Sequence, residues 1–177
     1  MPTKNQIFAS QIKYDGILDF GEFYKFCYDY LTSELGFDVI EDMYKEKVKA
    51  DEKELNIKWN GTKRIDDYFK YNIKIEFRVF QLKKIEIEQS GKKKKTNKGL
   101  VELKLKGIIE SDYRGQYETK PFLRFIRNIY EKWIIPSKIE VKEGTLIGSC
   151  DEFLGQAKAF LDLEGKDKAQ IGTIKEE

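Results

Sequence analysis

From Tyr68 to Val79 the chain alternates without a break: Phe69, Tyr71, Ile73, Ile75, Phe77 and Val79 take one side, Lys70, Asn72, Lys74, Glu76 and Arg78 the other. Successive side chains of an extended strand point to opposite faces. The period therefore predicts a strand in a sheet that is packed on one face and wet on the other, the usual state of an antiparallel sheet. Leu55, Ile57 and Trp59 repeat the pattern before it, Ile85 and Ile87 briefly after it. Val101, Leu103, Leu105, Gly107 and Ile109 repeat it again, with Glu102, Lys104 and Lys106 outward. Further strands are expected at Ile7–Tyr14 and Val39–Lys49. Asn60-Gly61 is a hairpin signal, but a turn there would leave the next strand too long. The turn is placed at Asp66-Asp67, with Gly61 as a bulge, and another turn at Ser90-Gly91.

The helices are legible from a change of period. Asp19 reads as an N-cap with Glu22 in capping-box spacing. Phe20, Phe23, Tyr24, Cys27, Leu31 and Leu35 follow at helical intervals, and Gly36 supplies the C-terminal stop. Thr119 and Pro121 open a second helix whose apolar face is Phe122, Ile126, Ile129, Tyr130, Trp133 and Ile134, closed by Pro136. A third runs from about Lys138 to Leu163, with Ile139, Leu146, Cys150, Phe153, Ala157 and Phe160 on one stripe and a break allowed near Gly144. These elements predict an α+β fold: an antiparallel sheet of five to seven strands whose apolar face is covered by the C-terminal helices. At 177 residues the chain fits one domain. Residues 1–163 are assigned to it and 164–177, poor in apolar residues, to a disordered polar tail. With 12 Phe, 10 Tyr and 2 Trp the chain is too aromatic to be disordered overall.

The element order resembles the helix-grip arrangement of START-like and Bet v 1-like proteins, in which a curved sheet wraps a long C-terminal helix. A second, local resemblance rests on Asp112-Tyr113-Arg114-Gly115, Lys120-Pro121-Phe122-Leu123-Arg124-Phe125-Ile126, Ile129-Tyr130, Ile134-Ile135-Pro136 and Lys158-Ala159-Phe160-Leu161. These segments are similar to uncharacterised archaeal proteins of comparable length. That likeness implies a host group and no activity.

The chain contains no histidine. It therefore lacks the commonest general base, the base of Ser-His and Cys-His nucleophile systems, and the commonest metal ligand. No phosphate-binding or dinucleotide-binding glycine loop is present; Gly144 and Gly148 have the spacing of a helix-packing or flexible site. The reading leans away from an enzyme, with no catalytic residue, metal or cofactor assigned. The acidic pairs Asp66-Asp67 and Glu110 with Asp112, and Arg114 beside them, are the residues a histidine-free enzyme would use. They fall at strand ends, where turn stabilisation is the plainer role. Cys27 and Cys150 lie on apolar helix faces and read as buried structural thiols. Met1–Phe8 has no signal-peptide core, and no apolar run reaches the ~20 residues of a membrane span. A cytoplasmic protein is expected.

Two binding surfaces follow. The first is a small apolar or amphipathic ligand held between sheet and helices by Trp59, Phe69, Tyr71, Phe77, Tyr130 and Trp133. The alternative is an adaptor that meets RNA, a ribosome or a protein partner through the basic hairpin loop 92–98, using Lys92, Lys93, Lys94, Lys95 and Lys98, with Arg114 as a further anion contact. Net charge is only +2, so a nucleic-acid role would depend on that local cluster.

Overall fold

The structure, a computed structural model, describes residues 3–89, 92–115, 120–134 and 136–169. It is an α+β fold with one five-stranded antiparallel sheet in the order β1-β5-β4-β3-β2. The strands are β1 (Thr3–Leu18), β2 (Asp38–Lys49), β3 (Glu52–Arg64), β4 (Phe69–Gln89) and β5 (Lys92–Ser111). Helix α1 (Phe20–Asp29) continues as a π-helical turn, Tyr30–Glu34, and carries the chain from β1 on one edge to β2 on the other. Helix α2 (Pro121–Ile129) likewise widens into a π-helical turn, Tyr130–Ile134, before the single long helix α3 (Pro136–Ala169).

The period-two rows settle the packed face. Ile57, Ile73, Ile75, Phe77, Val79, Val101, Leu103 and Leu105 are almost wholly buried, under α1 and α3. From α1 come Phe20, Phe23, Cys27 and Leu31; from α3 come Leu146, Cys150, Phe153, Leu154, Ala157 and Leu161. The close approach of α3 to the sheet is made at Gly107, where a Cβ would lie 3.1 Å from Cys150 Sγ and from Phe8 Cβ. Asp19 caps α1, its Oδ1 accepting from the Glu22 amide at 3.1 Å. Gly36 takes the left-handed conformation that ends the helix (φ +68°). The capping box is completed from elsewhere: the Asp19 amide donates to Glu164 Oε2 at 3.0 Å.

Several expectations are corrected. Gly61 is no bulge; the β3–β4 register runs straight through its pairing with Ile73. It is glycine because a Cβ would meet Ile73 Cγ1 at 2.6 Å. Register shifts fall elsewhere, at Gln6/Phe8, Glu41/Met43 and Lys53/Leu55, and in β4 between Phe80 and Lys83, where Gln81 has φ 52° and Gly99 fits opposite. That bulge joins the two short strand patterns into one long strand. α3 has no break at Gly144 and runs on to Ala169, so residues 164–169 of the expected tail are helical. Ser90, Gly91, Thr119, Ile135 and residues 170–177 lie outside the described residues.

The largest correction concerns α2. The sheet is roofed by α1 and α3, and the apolar face of α2 does not join the core: Phe122 is 68% exposed and Trp133 73% exposed.

A candidate docking surface

The six residues expected to line a ligand site do not converge. Trp59 and Phe77 pack edge-to-face in the core, ring centroids 4.7 Å apart. Phe69 and Tyr71 are buried beneath the start of α3, and the Tyr71 hydroxyl is consumed by donation to the Lys142 carbonyl at 2.6 Å. Tyr130 and Trp133 are on the outside. Between sheet and helices, the crevice lined by Leu31, Leu35, Phe37, Ile73, Leu105 and Phe153 has no room for a water molecule. An open groove of about 250 Å³ lies at the β1 edge of the sheet, lined by Gln11, Ile12, Lys13, Tyr14 and, from α3, Lys158, Leu161 and Asp162.

The acidic pairs have structural partners. Asp66 Oδ1 accepts from the amides of Tyr68 and Phe69 at 2.9 and 2.7 Å, and its other oxygen pairs with Lys142, which is turn chemistry. Arg114 pairs with Asp67 at 3.0 Å and lies over the Tyr113 ring. Glu110 faces the wet side of the sheet, hydrogen-bonded by Asn72 at 2.8 Å and paired with Lys70 at 3.1 Å. Asp112 turns to α2. The two carboxylates therefore share no site, and among the described residues no three Cys, Asp or Glu side chains gather as a metal site would require. Cys27 and Cys150 are buried, and burial pushes the Cys150 thiol up to about 12.

The basic segment is strand, not loop. Lys92–Lys98 belongs to β5 and pairs with β4, Lys93 opposite Glu88 and Lys95 opposite Glu86. β3 accompanies β4 only to Leu82, and β1 accompanies β5 only to Asn97. Beyond those points the hairpin is a two-stranded ribbon with Lys93, Lys94 and Lys95 exposed.

What sequence reasoning missed is the orientation of α2. The helix rests on the domain by its polar side. Arg127, 9% exposed, sits over the end of the sheet. Its guanidinium bonds Glu131 Oε1 at 3.1 Å, lies 3.7 Å from buried Asp112 and donates to Thr3 of β1. Tyr68 and Ser111 also donate to Glu131. Burial and then the Glu131 hydrogen bond hold the Tyr68 hydroxyl well above its ordinary pKa, so it stays a donor. With Arg127 and Glu131 turned inward, helical geometry turns Phe122, Phe125, Ile126, Ile129 and Trp133 outward together. Arg124, Asn128 and Lys132 form one exposed flank of that face. The only signal for this was the Arg127–Glu131 spacing opposite Asp112. Periodicity identifies the apolar side of a helix but does not say which side meets the sheet.

No helix among the described residues is long and apolar enough to cross a membrane. Comparison with protein-family models, curated proteins and solved structures returns no match.

Proposed function

We propose that this domain is a non-catalytic docking module that meets a larger partner through the outward apolar face of α2. One observation carries the reading: the helix turns Arg127 and Glu131 toward the sheet and leaves Phe122, Phe125 and Trp133 largely exposed, with Ile126 and Ile129 partly exposed beside them. Leaving such a face exposed forgoes about 1.5–3 kcal/mol per large side chain. A contiguous exposed apolar patch on a folded domain marks an interaction surface. The ligand reading lacks a comparable support, because its lining residues are split between core and exterior and the crevice between sheet and helices has no room for a water molecule.

Hydroxyl-radical footprinting tests the proposal without knowledge of the partner. Phe122, Phe125 and Trp133 are expected to be oxidised readily in the purified protein and protected in intact cells. Equal oxidation in both settings contradicts it.

A second reading, an adaptor for RNA or another polyanion, is favoured by the unaccompanied β4–β5 ribbon and its exposed lysines. Lys93→Gln, Lys94→Gln and Lys95→Gln together are then expected to abolish salt-sensitive RNA binding.

A further inference from the structure

The docking reading leaves the partner's chemistry open, and the polar residues around the apolar face narrow it. Between residues 120 and 138 the exposed charged side chains are Lys120, Arg124, Lys132 and Lys138. Glu131, the one carboxylate in that stretch, is turned inward against Arg127 and Tyr68. Among the described residues of this stretch, the exposed charge beside the apolar face is therefore basic. The large residues of that face include Phe122, Phe125 and Trp133. Aromatic rings with basic side chains beside them suit the boundary between lipid headgroups and acyl chains, where the ring sits in the apolar layer and the charge reaches back to the phosphates.

Resting on the docking reading above, we infer that the surface met by α2 is an anionic lipid bilayer, on which the helix lies in the plane of the interface. A helix of low net hydrophobicity, with one apolar face and a basic polar side, is the form that binds in this way. The helix is already formed, and its polar side is already fastened to the sheet through Arg127. Contact therefore needs neither folding nor opening of the core, which removes an ordering cost that isolated interfacial peptides carry. A second copy of the chain is a poorer occupant, because among the described residues of 120–138 no exposed carboxylate is present to neutralise the partner copy's lysines and arginines.

The test uses the full chain with mixed phosphatidylcholine–phosphatidylglycerol vesicles, against pure phosphatidylcholine. Co-sedimentation with the anionic vesicles, much weaker with the neutral ones, is expected. Tryptophan emission should shift to shorter wavelength on binding, and Trp133→Phe should remove the shift. Phe125→Asp with Ile129→Asp, both exposed and so compatible with folding by circular dichroism, should weaken binding at least about tenfold. Arg124→Gln and Lys132→Gln should each cost about fivefold, and added salt should mimic them. Failure of the folded chain to bind anionic vesicles overturns the inference. Binding unchanged by the aspartate pair also overturns it, as does binding lost only when Lys93, Lys94 and Lys95 are replaced by Gln. If cells protect Phe125 and Trp133 from oxidation while vesicles do not bind, docking stands and its lipid occupant is wrong. Concentration-dependent sedimentation would then identify a second copy.

Discussion

Glu110 illustrates how the wet face of the sheet is held together. Its carboxylate is buried, which by itself raises the pKa. Hydrogen bonding from Asn72, then pairing with Lys70 and Lys4, outweighs burial and holds it below the usual range. A depressed native pKa contributes stability that is fully present above the unfolded value, about 4.3 for glutamate, and is lost as pH falls through the native value. Glu110→Gln is therefore expected to lower stability by about 1 kcal/mol near neutral pH. The gap from wild type should close as pH drops below 4 or so. Urea melts at a series of pH values check this, and a gap constant with pH would contradict it. Residue-level reading of the sequence worked where one local rule decides: Asp19 as a cap, Asp66 as a turn former, and the buried thiols. It failed at Gly61, whose reason is the Ile73 side chain, directly opposite on the neighbouring strand but twelve residues on in sequence.

Among the elements, the strands and α3 were legible because each presents one period to one neighbour. The six residues of the expected α3 stripe face the core or its margin. Lys92–Lys98 was less legible, since a run of like charge says nothing about backbone pairing; Glu86 and Glu88 across the hairpin make it a strand. The glycines of α3 carry a consequence for stability. Gly144, Gly148 and Gly155 have ordinary helical backbone, and nothing lies within 4 Å of a Cβ built at any of them. They are neither packing contacts nor a hinge in this helix. Replacing each with alanine removes backbone entropy from the unfolded chain and should raise stability by up to about 1 kcal/mol per site. Thermal melts of the triple variant should show a clear gain; a loss would mean that the glycines meet something these contacts do not contain.

At the scale of the whole molecule, a sheet with one greasy face needs one layer of cover, and α1 with α3 supply it. A third amphipathic helix in the same chain is then free to turn its apolar side outward, provided that its polar side finds partners. The end of the sheet supplies them in Asp112, Tyr68, Ser111 and Thr3. This inversion underlies the docking proposal and everything built on it. It is tested most directly by comparing urea unfolding of two variants with the parent. Phe125→Asp with Ile129→Asp should leave stability within about 0.5 kcal/mol of the parent, as exposed positions do. Arg127→Met, which takes the guanidinium away from Asp112 and Glu131, should cost about 3 kcal/mol. The reverse result, a stable Arg127→Met and a collapsed aspartate pair, would place the apolar face of α2 in the core.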